Sequence, residues 1–472
     1  MGEWKMAKQR PYLYYDLTSS VCSTCLRKVE AKIIIENDSV YMVKRCRIHG
    51  QEKVLISTDV EYYKRCREYI KPNEMPYQWN TGIKYGCPYD CGLCPDHEQH
   101  SCLTIVEVTD QCNLQCPICF AESGPKRTTW RTLEQIDAML DTIVKNEHEP
   151  DVVQISGGEP TIHPQFFDIL DSAKKRPIKH LMVNTNGLRI ANDKEFVKKL
   201  ATYMPGFELY LQFDSLEEEA LKELRGVDLR EVRRKAIEHL NEYNISTTLV
   251  VTLKKGLNDQ EIGKIIEYGT QQKCVRGVTF QPIQHAGRTE DYDPATDRLT
   301  LSEVRQKIID QSDVFNEKDI IPVPCHSDCL AMGYALKING KITPLTGMID
   351  PDILLEGQRN TIVFESDEVL KKKVFELFSL NHSPQSGFSS LKSLLCCLPM
   401  VSLPKGLGYQ NVFRVLIMKF MDNYDLDVRS VKKACVHIAH PDGRIIPFDT
   451  YNLFYRDGKE EYLKELQKEQ EL

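Results

Sequence analysis

The sequence predicts an α/β protein built on a partial (β/α)6 barrel, with small N-terminal and C-terminal metal-binding units. Two observations predict this fold. Between residues 105 and 320, apolar strand-like segments alternate with helical ones, which is the pattern of parallel βα repeats. Eleven of the 17 cysteines lie in the first 119 residues, at the short spacings of metal ligands. We therefore expect four regions, residues 1–75, 76–104, 105–320 and 321–472.

The composition excludes several classes of protein. The chain has 472 residues, a formal net charge of −7 and 41% hydrophobic residues, so it can bury a core and is not a general nucleic-acid binder. No stretch contains the roughly 20 apolar residues that cross a bilayer, and the N-terminus lacks the apolar core of a signal peptide. We expect a cytoplasmic protein without nucleic-acid partners, whose thiols are reduced.

The first region, residues 1–75, is expected to hold one metal ion. Cys22 and Cys25 form one ligand pair and Cys46 and His49 the other, on either side of an alternating, hairpin-like segment. This is the layout of a zinc ribbon or a rubredoxin. Cys66 is an alternative to His49 as the fourth ligand, and the spacing does not distinguish iron from zinc.

The barrel region is expected to contain six strands separated by helices. The predicted strands are Leu103–Thr109, Val152–Ser156, His180–Asn184, Glu208–Phe213, Ser246–Thr252 and Gly277–Gln281. Helical periodicity is found near 133–145, 164–174, 193–203, 229–243 and 259–272. In barrels of this kind the chemistry lies at the carboxyl ends of the strands.

A cysteine motif follows the first barrel strand. Cys112, Cys116 and Cys119 have the spacing Cys-x3-Cys-x2-Cys, and Phe120 follows them. Three thiolates can bind three irons of a [4Fe–4S] cluster, which leaves the fourth iron open to a ligand. With the turn Gly157–Pro160 (Gly-Gly-Glu-Pro) after the second strand, this motif resembles the S-adenosylmethionine (SAM) radical superfamily. An open iron beside such a turn argues against a plain electron carrier.

The resemblance implies a radical SAM barrel and its chemistry. In that superfamily an external electron donor reduces the cluster, and SAM is cleaved to methionine and a 5′-deoxyadenosyl radical. The resemblance also implies which residues contact SAM, with Glu159 and the glycine turn at the methionine amino group. The implied contacts are Phe120, Gly157, Gly158, Glu159, Asn184, Asn186, Gln212, Asp214 and Val251.

Two auxiliary [4Fe–4S] clusters are expected beside the SAM cluster, three in all. The ligands expected for the first are Cys87, Cys91, Cys94 and Cys102, and a structural zinc is the alternative. The ligands expected for the second are Cys325, Cys329, Cys435 and one of Cys396 and Cys397, and a group of buried thiols is the alternative.

A finer resemblance concerns the segments around Cys87, Cys112 and Cys435. Together with the N-terminal cysteine pairs, they resemble archaeal tetraether lipid synthases over nearly the whole chain. That group joins terminal methyl carbons of isoprenoid diether lipids, which implies a diether lipid substrate and docking at the membrane surface. Methylation of a pterin coenzyme precursor, associated with relatives of the group, is the alternative. The apolar segments Leu394–Leu403 and Val412–Met421 would line a hydrocarbon tunnel or a membrane-facing surface, and a plain hydrophobic core is the alternative.

Overall fold

The structure is a computed structural model that describes residues 10–69, 74–289, 292–338, 340–348, 409–456 and 458–471. Cys396, Cys397 and the apolar segment Leu394–Leu403 lie outside the described residues.

The N-terminal region is a four-stranded antiparallel sheet whose strands neighbour one another in chain order. Its elements are β1 (Leu13–Val21), β2 (Lys28–Glu36), β3 (Ser39–Cys46), β4 (Gly50–Ser57) and the helix α1 (Val60–Glu68). Asn37 and Asp38 connect β2 to β3 with φ of 50° and 55°. Asn and Asp tolerate this left-handed backbone, which suits a tight hairpin. Residues on one face of the sheet pack against Tyr63 of α1.

Six parallel strands form the centre of the molecule, in the order in which they occur along the chain. They are β5 (Leu103–Glu107), β7 (Val152–Ser156), β8 (His180–Thr185), β9 (Phe207–Gln212), β10 (Thr247–Leu253) and β11 (Val275–Pro282). A short pair, β6 (Ile118–Cys119) and β12 (Arg288–Thr289), lies beside them. The predicted partial (β/α)6 barrel is confirmed.

Helices cover the outer face of this sheet. They are α2 (Leu133–Glu147), α3 (Phe166–Lys174), α4 (Leu188–Asn192), α5 (Lys194–Ala201), α6 (Glu218–Arg225), α7 (Arg230–Tyr243), α8 (Ile262–Gln271) and α9 (Leu301–Gln311). A capping box at Thr132 and Gln135 begins α2. Alternate strand residues point outward to the helices and form the larger hydrophobic core.

The described residues after 320 join the barrel sheet and do not form a sheet of their own, although a separate unit was expected. The strands β13 (Ile321–Pro322), β14 (Leu330–Ile338), β15 (Lys341–Pro344) and β16 (Val412–Met418) extend the sheet beyond β11. At the opposite edge, β17 (Val436–Ala439) pairs in parallel with β5, and β18 (Ile445–Pro447) follows it. The helices α10 (Val428–Val431), α11 (Phe448–Phe454) and α12 (Glu460–Lys468) complete the region. The four domain boundaries stay predictions.

The strand β16 explains one of the two apolar segments of the C-terminal region. It lies between β14 and β11 in the sheet, and its residues from Phe413 to Met418 are buried. Residues 413–417 of the segment Val412–Met421 are therefore sheet core. Among the described helices, none combines the length and the apolar character needed to cross a membrane.

Candidate active site and metal centres

A single cavity extends through the inside of the barrel. At one end it is lined by Cys112, Cys116 and Cys119, which follow the carboxyl end of β5. At the other end it reaches Leu103 and Val436, the first residues of β5 and β17. The cysteine motif therefore lies at the strand ends where the sequence places the chemistry.

The glycine turn is bonded to the loop that carries these cysteines. The Gly158 N–H donates to the Thr109 carbonyl at 2.7 Å, and the Glu159 N–H donates to the Gln111 carbonyl at 2.9 Å. A Cβ added at Gly157 would lie 2.2 Å from the Thr109 oxygen, and one at Gly158 would lie 2.1 Å from the Gln111 oxygen. Both glycines line the cavity. A side chain is excluded at both positions because their backbone packs directly against the backbone of the cysteine loop.

The carboxylate of Glu159 is occupied by bonds within the protein. It accepts from the Thr161 N–H at 3.1 Å and hydroxyl at 2.5 Å, from the Thr185 hydroxyl at 2.8 Å and from the Asn186 N–H at 2.7 Å. Three of these donors reach Oε1 and one reaches Oε2. Burial raises the pKa of Glu159. Glu159 therefore fixes the turn that carries Asn186 and also lines the cavity. Its expected contact with the methionine amino group stays a prediction.

Amide side chains form two hydrogen-bonded pairs at the cavity wall. Asn186 Nδ2 donates to Asn113 Oδ1 at 2.7 Å, next to Cys112. Gln212 Nε2 donates to Asn184 Oδ1 at 2.8 Å. All three predicted amides, Asn184, Asn186 and Gln212, line the cavity, as does Phe120. The Phe120 ring packs edge-on against Phe448 at 5.2 Å between ring centroids.

Asp214 does not face the cavity, contrary to the sequence analysis. It is fully buried, and its carboxylate accepts from Arg225 NH2 at 2.5 Å and Arg225 Nε at 2.7 Å. Burial acts to raise the pKa of Asp214, but the Arg225 and Arg233 guanidinium groups outweigh burial and lower it. Arg225 and Arg233 themselves line the cavity, and Arg225 lies close to Cys116. The positive groups at this wall are therefore the arginines that Asp214 orients.

Val251 is also not a cavity residue. It belongs to the core between the sheet and the helices, whereas its neighbours Val250 and Thr252 face the barrel interior. Side chains alternate between the two faces of a sheet along a strand. A prediction that is displaced by one residue therefore selects the face towards the helices in place of the face towards the cavity.

The sequence analysis missed much of the cavity wall, including Arg225, Gln154, Gln281 and Gln284. Arg225 ends α6 and has no signal in the sequence. A sequence signal exists for Gln154 and Gln281, each of which is the single amide of its strand.

The N-terminal ligand residues converge on one point. The ligand atoms of Cys22, Cys25, Cys46 and His49 lie within 4.8 Å of one another. Cys22 Sγ is 3.5 Å and Cys46 Sγ 3.6 Å from His49 Nδ1. The backbone N–H of His49 lowers the pKa of Cys46 to about 6. Four ligands at these separations fit a single tetrahedral ion.

Cys66 is excluded from this group. It lies on α1 with its side chain in the hydrophobic core, where burial raises the pKa of its thiol to about 12. Of the two alternatives for the fourth ligand, the structure supports His49.

The remaining cysteines divide differently from the expectation. Cys87, Cys91 and Cys94 are neighbours in the loop before β5, but they are not among the described groups whose ligand atoms all lie within 4.8 Å of one another. Cys102, by contrast, meets Cys325 and Cys435, and the three sulfur atoms lie within 4.8 Å of one another. Cys329 is outside that group and its sulfur is 3.6 Å from Ser430 Oγ. Cys102 was expected in the first auxiliary set but lies with the second, because the pairing of β5 with β17 brings it to Cys435.

Comparison with known proteins agrees with this geometry. The family model of the radical SAM superfamily matches residues 106–269, and that of the HMPTM N-terminal zinc ribbon domain matches residues 14–58. The chain is 32% identical to the 7,8-dihydro-6-hydroxymethylpterin dimethyltransferase of Methanocaldococcus jannaschii, over 94% of each chain. It is 24% identical to the GTP 3′,8-cyclase of Shewanella denitrificans, over 47% of this chain and 66% of that protein.

Among solved structures, Streptococcus suis SuiB bound to S-adenosylmethionine is similar over 41% of this chain and 44% of that chain. The identity is 18% and the TM-score 0.35.

The prediction of tetraether lipid coupling is wrong. The relative that matches along almost the whole chain is named a pterin dimethyltransferase, which agrees with the alternative. The expected diether lipid substrate is withdrawn with it, and docking at a membrane surface loses its basis.

The coarser predictions are confirmed. A radical SAM protein requires SAM, a [4Fe–4S] cluster and an external electron donor, and three cavity thiols beside Arg225 fit that cluster. The other cysteine groups fit further clusters or a single metal ion. The chain belongs to the radical SAM superfamily, within the family of the 7,8-dihydro-6-hydroxymethylpterin dimethyltransferase.

Proposed function

We propose that this protein is a radical SAM methylase that acts on a reduced pterin of the 7,8-dihydro-6-hydroxymethylpterin type. The observation that carries the proposal is 32% identity to the pterin dimethyltransferase over 94% of both chains. When bound, the cluster and SAM supply the reducing electron and the 5′-deoxyadenosyl radical. The chain's own residues bind and orient the substrate and keep water from the reacting atoms.

The polarity of the cavity supports a heterocyclic substrate. Gln284 Oε1 is buried in the cavity wall without a hydrogen-bond partner. An unsatisfied buried acceptor costs about 1–3 kcal/mol, and a ligand with N–H groups removes that cost. The pyrimidine edge of a pterin offers such groups, whereas a hydrocarbon chain does not. Gln154 and Gln281 provide further amides in the same wall.

Aromatic side chains supply the flat surfaces that a pterin ring requires. Phe420 and Phe448 have ring centroids 4.0 Å apart and both line the cavity, together with Phe120. Planar heterocycles stack on such rings, and the amides fix the orientation.

The test is an anaerobic assay with reconstituted protein, reductant, SAM and 7,8-dihydro-6-hydroxymethylpterin. We expect 5′-deoxyadenosine formation that depends on the pterin, and a pterin product heavier by one or two methyl groups in mass spectrometry. The variant with Cys112, Cys116 and Cys119 all replaced by Ala should form no 5′-deoxyadenosine. Failure of the pterin both to bind and to raise 5′-deoxyadenosine formation would contradict the proposal.

Gln284→Leu gives a sharper test of the pterin site. Removing one hydrogen bond to a neutral ligand should weaken pterin binding about tenfold, measured by titration of the holoenzyme with SAM present. Cys274→Ala, a change of a buried thiol outside the cavity, is the matched control and should bind normally.

A further inference from the structure

The side chain of Tyr210 brings a hydroxyl group into the deeper part of the cavity. Tyr210 lies on β9, lines the cavity and is 7% exposed. It precedes Gln212, the last residue of the strand, by two positions, so it lies about 7 Å further into the barrel at 3.3 Å per residue. Because the cysteine motif lies at the carboxyl ends of the strands, Tyr210 faces the part of the cavity beyond the SAM cluster.

The hydrogen bond between Gln281 and Tyr210 has a defined direction. Gln281 Nε2 lies 3.1 Å from the Tyr210 oxygen and 3.6 Å from Met418 Sδ. A thioether sulfur can only accept a hydrogen bond, so the nitrogen of the amide, and not its oxygen, faces Met418. The same nitrogen therefore donates its second hydrogen to the Tyr210 oxygen.

Two polar groups of this pair remain available to a ligand. Burial raises the pKa of Tyr210, so the hydroxyl keeps its proton, and the Thr279 hydroxyl acts in the opposite direction, as a donor to the Tyr210 oxygen does. Among the described residues, none accepts the Tyr210 proton and none donates to Gln281 Oε1. The pair thus offers the cavity one donor and, beside it, one acceptor.

This donor and acceptor match one edge of a pterin. In a 2-amino-4-oxo pteridine the 4-oxo group accepts a hydrogen bond, and the adjacent N3–H donates one. A 4-amino pteridine reverses both groups, because its amino group donates and its N3 accepts. Polar groups at fixed positions in a cavity orient the ligand that matches them and exclude the ligand that does not.

We propose that Tyr210 and Gln281 select a 4-oxo over a 4-amino pteridine. Tyr210 donates to the 4-oxo group of the substrate, and Gln281 Oε1 accepts from the N3–H. Both contacts rest on the proposed function and extend it, because they name the edge of the pterin that the cavity recognises. The Tyr210 oxygen already accepts from Gln281, so the hydroxyl cannot simply turn to accept from a 4-amino group.

The test compares 7,8-dihydro-6-hydroxymethylpterin with its 4-amino analogue on the holoenzyme with SAM bound. Wild-type protein should bind the pterin about a hundredfold more tightly, since the analogue loses two hydrogen bonds worth about tenfold each. Tyr210→Phe should weaken pterin binding, and lower this preference, about tenfold. Tyr268→Phe, whose ring stacks on Phe213 outside the cavity, is the matched control and should keep the wild-type preference.

Infrared spectra of pterin labelled with carbon-13 at C4 give a second readout. A hydrogen bond lowers the stretching frequency of a carbonyl group, so the band of the bound pterin should lie higher in Tyr210→Phe than in wild-type protein. Equal affinity of wild-type protein for the two pteridines, or a band that Tyr210→Phe leaves in place, would overturn the assignment of Tyr210 and Gln281 while the proposed function stands. If wild-type protein binds neither pteridine, the proposed function fails together with it.

Discussion

Asp449, at the start of α11, is a buried carboxyl group whose proton links stability to pH. Its side chain is 3% exposed, and burial raises its pKa to about 7, with a further increase from Asp425. In the unfolded chain the pKa is about 3.9. Between these values the unfolded state has released a proton that the folded state retains, so stability falls as the pH rises from about 4 to 7.

We therefore expect Asp449→Asn to stabilise the protein at neutral and alkaline pH. The amide oxygen can still accept from the Met421 N–H, which lies 2.6 Å from Asp449 Oδ1. The gain at pH 8 should be about 2–4 kcal/mol and should shrink towards pH 5, as measured by urea unfolding without oxygen. A difference that is the same at every pH would contradict this prediction.

Asp214 illustrates a different buried charge, one paired with arginine. Asp214→Ala leaves the Arg225 and Arg233 guanidinium groups without their carboxylate, and such loss typically costs about 3–5 kcal/mol. We expect lower thermal stability and weaker SAM binding, since Arg225 forms part of the cavity wall. Asp228→Ala breaks an exposed pair with Arg230 and should change neither measurement. Normal SAM affinity in a folded Asp214→Ala protein would show that Arg225 does not need this partner.

At the scale of elements, the glycine turn after β7 and the cysteine loop after β5 behave as one unit. Gly158→Ala places a Cβ against the Gln111 carbonyl, and backbone cannot yield as a flexible side chain can. We expect a folded protein with a displaced cysteine loop, and at least a tenfold loss of 5′-deoxyadenosine formation, equivalent to about 1.4 kcal/mol. Gly82→Ala, where the added Cβ meets nothing within 4 Å, is the control. Equal rates in the two variants would disprove the coupling.

The elements also show what the sequence can and cannot predict. The six barrel strands and the cysteine motif are local sequence patterns, so the sequence predicts them and the residues that lie at the strand ends. The proximity of Cys102 to Cys435 was not foreseen, because it results from a pairing of strands far apart in the chain. The ion pairs of Asp214 were not foreseen because Arg225 and Arg233 lie on helices, and no local sequence pattern connects them to the end of a strand.

At the scale of the whole molecule, the C-terminal region closes both edges of the barrel sheet. The strand β16 pairs with β11 and β17 pairs with β5, although both come after the barrel in the chain. Each contributes buried residues to a hydrophobic core, among them Phe413 and Ile438. Exposed edges of a parallel sheet are sites of aggregation, so the barrel depends on the C-terminal strands for more than its metal ligands.

A chain that ends at residue 320 should therefore fail to form a stable monomer. It retains all six barrel strands but exposes the backbone of β5 and β11, so we expect aggregation in size-exclusion chromatography and no cooperative thermal transition. A chain that ends at residue 456 keeps β17, β18 and α11 and loses only α12. We expect this control to be monodisperse and to unfold cooperatively, with a lower midpoint because Leu463 and Leu466 no longer pack. If the two truncated chains behaved alike, the strands at the edges would not be what stabilises the barrel.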